Sequence, residues 1–176
     1  MFEHIEAFPG DPILSLNEDF QQDPRTNKVN LSIGIYFDDE GRLPVMKAVA
    51  EAEAALLSDM GPRPYLPMSG MAAYRQAVQA LVFGEDCAAR AEGRVATLQT
   101  LGGSGALRVG ADFLKRYFPK AEMWISDPSW ENHRVVFERA GFKVNTYPYY
   151  DPATGGLKFD AMLAAIEAIP QGDIVL

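Results

Sequence analysis

Short apolar runs alternate with helical patterns along the second half of the chain, and this alternation constrains the fold more than any other feature. Runs typical of strands occupy residues 95–101, 123–126, 143–147 and 173–176. Between them, apolar residues recur at helical spacing, over 107–118, 135–140 and 161–169. Strands that alternate with helices pair in parallel, because each helix returns the chain to the same end of the sheet. The sequence therefore predicts an α/β fold, a mainly parallel sheet with helices on both faces.

The first half of the chain has a less regular pattern. Residues 1–11 are predicted to form an arm, and Pro12 to open a short helix, because proline suits the first helical turn. Apolar residues alternate over Val29–Tyr36 and predict a strand, which Gly34 interrupts. Two further helices are predicted, one after Pro44 and one over 73–82. The chain stops inside the last strand pattern, so we expect it to be a fragment of a longer protein.

The composition argues against several kinds of partner and site. The formal net charge is −8, and the 16 Lys and Arg residues are scattered, so nucleic acid is not expected to bind. No apolar run reaches the roughly 18 residues that a membrane helix needs. The start of the chain lacks the basic region typical of a secretion signal. Cys87 is the single cysteine and the two histidines are far apart, which predicts no metal site and suits a reducing cytoplasm.

A glycine-rich turn lies between a predicted strand and a predicted helix, in the stretch TLGGSGALRVGADFL that begins at Thr100. Backbone N–H groups of such a turn, together with the Ser104 hydroxyl, can bind a phosphate. The stretch lacks the Gly-Lys-Ser/Thr ending of a P-loop, and Arg108 follows where the dinucleotide fingerprint has a third glycine. A purely structural turn is the alternative, and the pattern leaves both interpretations open.

The stretch SDPSWENH, residues 126–133, follows the next predicted strand. Its turn should emerge at the same sheet edge as the glycine-rich turn, where α/β proteins bind ligands. Trp130 could therefore stack on a flat ligand whose phosphate is held near Ser104, or it could be a core residue. His133 and Tyr65 have equally ordinary structural interpretations, as a half-buried histidine and as a loop aromatic.

Four segments together resemble one protein family. They are VNLSIGIYFDDEGRLP, YLPMSGMAAYRQAV, TLGGSGALRVGADFLKRYFP and SDPSWENHRVVFERAGF. In this order they resemble the class I aminotransferases, the aspartate and aromatic amino acid group that uses pyridoxal phosphate. The resemblance runs through the whole chain, which corresponds to somewhat less than half of a family member. It implies a fold type I pyridoxal-phosphate-dependent transferase and a homodimer. Residues 12–43 would be part of the small domain, and residues 44–176 the first part of the large, cofactor-binding domain.

The resemblance also implies a role for each matching residue. Gly34 matches the glycine whose backbone amide meets the substrate carboxylate, and Tyr65 the tyrosine that reaches the cofactor phosphate of the other subunit. Trp130 matches the aromatic residue stacked on the cofactor ring, where it also borders the substrate. His133 matches a histidine behind that ring, which supports the acid paired with the ring nitrogen. The phosphate-binding turn corresponds to Ser104, Gly105 and Ala106.

The resemblance places the catalytic residues outside this chain. The lysine that forms the Schiff base is expected beyond Leu176, since none of the six lysines here has the family's Ser-x-x-Lys setting. We therefore expect the fragment alone to be inactive. The Gly-Gly-Ser-Gly form of the turn favours a bacterial aromatic (tyrosine) aminotransferase. The resemblance implies that it transfers amino groups from aromatic amino acids to a 2-oxo acid, 2-oxoglutarate, with aspartate or glutamate as the acidic partner. The alternatives are an aspartate aminotransferase and, in another class, a non-catalytic module that binds a phosphate ligand.

Overall fold

The computed structural model describes residues 3–6 and 12–176, so most of the predicted arm lies outside the described residues. The chain forms two compact units, Met1–Arg63 and Pro64–Leu176. Within the described ranges, none of the helices has both the length and the apolar character that crossing a membrane requires. The division of the whole protein into arm, small domain and large domain stays a prediction.

The first unit contains two helices, α1 (Pro12–Gln22) and α2 (Lys47–Ser58). Both lie where the sequence predicts them, and α1 begins at the predicted Pro12. The chain between them has no regular strand over residues 23–46.

The predicted strand at Val29–Tyr36 is therefore wrong. Asn30 organises this segment as a local turn: its side-chain amide donates to Asn17 Oδ1 at 2.7 Å, and the backbone N–H of Ser32 donates to Asn30 Oδ1 at 3.0 Å. A backbone group committed to a side chain in this way is lost to strand pairing. Leu31 is 87% exposed, so the apolar alternation does not mark a buried face within this unit.

The second unit is an α/β arrangement. Its helices are α3 (Ala72–Phe83), α4 (Ala88–Ala91), α5 (Gly102–Tyr117), α6 (Glu131–Arg139) and α7 (Phe159–Glu167). Its strands are β1 (Met123–Asp127), β2 (Val144–Pro148), β3 (Tyr150–Asp151), β4 (Gly156–Leu157) and β5 (Ile174–Val175). A parallel sheet has the order β2-β1-β5, with Met123 opposite both Val144 and Ile174, while β3 and β4 form a separate antiparallel hairpin. The predicted parallel sheet is confirmed.

The predicted strand at residues 95–101 is absent, which corrects the sequence analysis. The Gln79 side chain of α3 donates to the Val95 carbonyl at 3.1 Å, and the Gln99 N–H donates to the Ser69 carbonyl at 3.1 Å. The backbone of this segment is thus bound by a helix side chain and by a loop instead of by a neighbouring strand. An apolar run forms a strand only where a neighbouring strand is available to pair with it.

The core lies on one face of the parallel sheet. Met123 and Ile125 of β1 are buried against Ala111 of α5, Phe137 of α6 and the following Phe142. Because successive strand residues point to opposite faces, the residues between them lie on the other face. The chain moves from β1 to β2 through α6, and then back across the sheet from β2 to β5 through α7. Because right-handed crossovers in opposite directions lie on opposite faces, α6 and α7 cover different faces of the sheet. α7 packs along β2. Helices on both faces agree with the predicted class.

Asp173 joins β5 to the central strand. Its Oδ1 accepts the backbone N–H of Glu122 at 2.9 Å, and its Oδ2 accepts the indole N–H of Trp124 at 3.0 Å. These two donors, the backbone N–H first, hold the pKa of the Asp173 carboxyl below its usual value. Since β5 has only two residues, this carboxylate extends the attachment of β5 beyond the backbone ladder.

We expect Asp173→Asn to lower the free energy of unfolding at neutral pH. The free energy of unfolding of the variant should also fall less on acidification. A lowered folded-state pKa means that the carboxylate's stabilisation is complete above the ordinary carboxyl pKa of about 4 and is lost as pH falls through the lowered pKa. The variant lacks this titration, and its amide nitrogen cannot accept the indole N–H. Urea midpoints of the apo protein between pH 7 and pH 3 measure the effect. Asp86→Asn, at an exposed position, serves as the control. If the urea midpoints of Asp173→Asn and of the unmodified protein fell equally between pH 7 and pH 3, the stabilising role of the Asp173 carboxylate would be contradicted.

Candidate functional site

An open pocket of about 560 Å³ lies where β1 and β2 end. The carboxyl ends of parallel strands meet at one edge of a sheet, and ligands of α/β proteins bind there. The pocket is lined by Ser126, Pro128, Ser129, Trp130, His133, Tyr147, Tyr149 and Leu176. The structure therefore brings the predicted Trp130 and His133 together at the predicted edge.

Trp130 is the N-cap residue of α6 and lies outside the hydrophobic core. Its side chain is 45% exposed, and it makes no capping hydrogen bond to the helix. Its indole meets the His133 ring edge-to-face, with centroids 5.4 Å apart and planes at 87°. Of the two interpretations left open by the sequence, the core residue does not fit this exposure.

His133 is half-buried in the first turn of α6. Its backbone N–H donates to the Trp130 carbonyl at 2.8 Å, and its Nδ1 lies 2.9 Å from the Ser129 hydroxyl oxygen. This hydrogen bond fixes the orientation of the imidazole, so any further polar contact of the ring falls to Nε2. Ser129 was not among the predicted residues, although a hydroxyl immediately before the N-cap Trp130 and close in sequence to His133 was a signal for it.

The glycine-rich turn lies at the beginning of α5. Gly102 has a φ of +62°, which favours glycine, and the helix begins at this residue, so most of the predicted turn belongs to the first helical turn. Ser104 and Ala106 are exposed and Gly105 is half-buried. A Cβ at Gly103 would meet nothing within 4 Å, and one at Gly105 would make only ordinary contact with Leu101. Packing within the chain therefore does not require these two glycines.

The start of α5 is also electrostatically open to an anion. The first turn contains no acidic residue. The first N–H groups of a helix have no carbonyl partner inside it and carry partial positive charge. Arg108, one turn further on, is paired with Asp112 at 2.9 Å. This end of the helix can thus accept a phosphate through its N–H groups and the Ser104 hydroxyl.

The remaining predicted residues lie outside the pocket that Trp130 lines. Tyr65 is fully exposed in the loop before α3. Gly34 belongs to the first unit, where it borders a groove of about 940 Å³, and a Cβ there would meet nothing within 4 Å. Ser104, Gly105 and Ala106 are not lining residues of the pocket either.

The sequence profile described as aminotransferase class I and II matches residues 26–176. The chain belongs to this family. One similar relative is the tyrosine aminotransferase of Klebsiella pneumoniae, 55% identical over 100% of this chain and 45% of its own length. Another is the aspartate aminotransferase of Pseudomonas aeruginosa, 51% identical over 100% of this chain and 44% of its own length. This aminotransferase chain spans less than half the length of these relatives.

Solved aminotransferase structures have the same fold. An aromatic amino acid aminotransferase from Burkholderia cenocepacia J2315 is 77% identical with a TM-score of 0.92, over 99% of this chain and 44% of that one. An aromatic-amino-acid aminotransferase from Burkholderia pseudomallei, covalently bound to pyridoxal phosphate, is 52% identical with a TM-score of 0.91, over 99% and 44%. The predicted family and fold class are confirmed, while the roles of the individual site residues stay predictions.

Proposed function

We propose that the protein is an aromatic amino acid aminotransferase, and that this chain supplies the phosphate-binding and ring-binding parts of its pyridoxal phosphate site. The observation that carries the proposal is the exposed Trp130 in a pocket at the carboxyl edge of a parallel sheet, in a member of this family. The proposed reaction moves the amino group of an aromatic amino acid to 2-oxoglutarate in two successive half-reactions, a ping-pong scheme.

The beginning of α5 is the proposed phosphate site. Ser104 supplies a hydroxyl, and Gly105 and Ala106 belong to the same helix end, whose first turn has no acidic residue. The Gly105 N–H already donates to the Leu101 carbonyl at 3.2 Å, so the phosphate is proposed to bind through the N–H groups that precede it. Phosphate anions are stabilised at such an end by the N–H groups and by the helix dipole. The free space around Gly103 supports this role, because it leaves room for the close approach of a ligand.

The pocket beside α6 is the proposed ring site. The indole of Trp130 offers a flat apolar surface to the cofactor ring, and aromatic rings favour offset stacking. His133, held by Ser129, would orient the acid that pairs with the ring nitrogen. When bound, the cofactor supplies the electron sink for amino transfer, and the protein's residues orient it and tune its charge.

Two residues outside the pocket complete the proposal. The backbone amide of Gly34 would bind the substrate carboxylate, in keeping with the open space at this glycine. Tyr65 would reach the cofactor phosphate in the second subunit of a cytoplasmic homodimer, which gives a purpose to a fully exposed phenol. The pocket of Trp130 contains no lysine among its lining residues, so the catalytic lysine is proposed to follow Leu176.

Amino-transfer assays of the full-length protein determine the substrate class. We expect 2-oxoglutarate-dependent amino transfer from tyrosine and phenylalanine, with parallel double-reciprocal plots when both substrates are varied. A clear preference for aspartate over the aromatic amino acids would favour the aspartate aminotransferase, in line with the relative from Pseudomonas aeruginosa. Binding of pyridoxal phosphate without any amino transfer would favour the non-catalytic phosphate-binding module.

Trp130→Phe is expected to lower kcat/KM up to about tenfold and to shift the absorption of the bound cofactor, because a smaller ring stacks over less area. It should leave the apo melting temperature almost unchanged, since the side chain lies outside the core. The other tryptophan provides the control. Trp124→Phe loses the hydrogen bond to Asp173 and should lower the apo melting temperature by about 2–4 °C without changing the cofactor spectrum. The reverse pattern would show that Trp130 acts by packing.

A further inference from the structure

The loop that contains Tyr65 is fastened to the segment that precedes α5. The N–H of Gln99 donates to the Ser69 carbonyl at 3.1 Å, and the N–H of Met71 donates to the Gln99 side-chain oxygen Oε1 at 2.8 Å. Gln99 thus bonds to the loop through both its backbone and its side chain. Among the described residues, the hydrogen bonds that join residues 64–71 to a segment distant in sequence all involve Gln99.

Gly70 allows this close approach. It is buried, and a Cβ at this position would lie 2.2 Å from the Gln99 Cβ and 3.2 Å from its Cα. The two segments therefore touch at backbone distance, without an intervening side chain. By contrast, Tyr65 and Met68 of the same loop are fully exposed, so the rest of the loop has little packing to hold it.

We propose that Gln99 is a positioning residue, which holds the Tyr65 loop in place through the Met71 N–H. The proposal rests on the function proposed above, in which Tyr65 reaches the cofactor phosphate of the neighbouring subunit. Gln99 also lies shortly before Ser104, in the segment that leads into α5. One side chain would thus couple the loop that serves the neighbouring site to the turn that binds phosphate in its own site.

Two variants of similar size isolate the hydrogen bond. Gln99→Met keeps the length of the side chain and removes the acceptor, whereas Gln99→Glu keeps an oxygen for the Met71 N–H. Amide hydrogen exchange of the full-length apo protein should show the Met71 amide at least about tenfold faster in Gln99→Met and protected in Gln99→Glu. This readout requires neither cofactor nor activity.

Cofactor affinity provides the second readout. Gln99→Met should raise the Kd for pyridoxal phosphate about three- to tenfold, because the loop is less often in place, and Gln99→Glu should raise it less. In a double variant with Tyr65→Phe, the Gln99→Met effect should disappear, since the hydroxyl that the loop positions is already gone. A fully additive effect, or equal Met71 exchange in both Gln99 variants, would overturn the proposal. Absence of cofactor binding by the unmodified protein would instead overturn the proposed function, while the exchange measurement would still decide the role of Gln99.

Discussion

Gly70→Ala is expected to lower the free energy of unfolding by about 3–5 kcal/mol, because it combines backbone strain with a steric clash. Gly70 has a φ of +85°, a conformation that residues with a side chain rarely adopt. Its new methyl group would also lie 2.2 Å from the Gln99 Cβ. That atom is next to the backbone, so it cannot move aside as the end of a flexible side chain would. Urea unfolding of the apo protein measures the loss.

Gly84→Ala is the matched control for the clash. Gly84 has nearly the same φ, +82°, but a Cβ there would meet nothing within 4 Å. Gly84→Ala should therefore lower the free energy of unfolding by the backbone strain alone, about 1–3 kcal/mol. Equal losses in the two variants would contradict the close contact between Gly70 and Gln99.

The second large effect is expected at Tyr65. Tyr65→Phe should weaken pyridoxal phosphate binding by about ten- to a hundredfold, because it removes the proposed hydrogen bond to a charged phosphate, worth about 1.5–3 kcal/mol. The apo stability should not change, since the side chain is fully exposed. Equilibrium titration of the full-length protein gives the affinity. Tyr117→Phe, which removes a hydroxyl from an exposed tyrosine at the end of α5, is expected to bind the cofactor normally.

Mixed dimers test whether Tyr65 acts across the subunit interface. In a dimer of one Tyr65→Phe subunit and one Ser104→Ala subunit, action across the interface leaves one site with both groups and the other with neither. Half of the sites should then bind the cofactor with normal affinity. If every site in the mixed dimer binds weakly, Tyr65 serves its own subunit.

The elements around the parallel sheet could be predicted from sequence because burial repeats at a fixed spacing there. β1, α6, β2 and α7 follow the predicted order, with apolar residues on the faces that pack together. The segment Val29–Tyr36 shows the same alternation but has no buried face within its unit, so the alternation wrongly predicted a strand there. Apolar alternation predicts a strand only where a partner strand is available. The hairpin of β3 and β4 was missed because two-residue strands leave no periodic signal.

The candidate site was predictable to a similar extent. Trp130 and His133 could be placed together because both follow a predicted strand at the carboxyl edge of a parallel sheet. The contact between Gln99 and Gly70 could not, since it joins two segments that are far apart in sequence and that no strand pairing holds in register. Chain topology predicts which edge of the sheet carries a site, but it does not predict which loop residues hydrogen-bond the surrounding segments to each other.

The position of Trp130 at the beginning of α6 limits how this protein can be stabilised. Aspartate, asparagine or serine at an N-cap stabilises a helix by about 0.5–2 kcal/mol relative to residues that cannot cap, and the indole makes no such bond. A substitution chosen only to improve helix capping would therefore select this position and delete the exposed aromatic face of the pocket. If Trp130 has its proposed role, stability and ligand recognition compete here for a single side chain, and engineering for heat resistance should begin elsewhere in the fold.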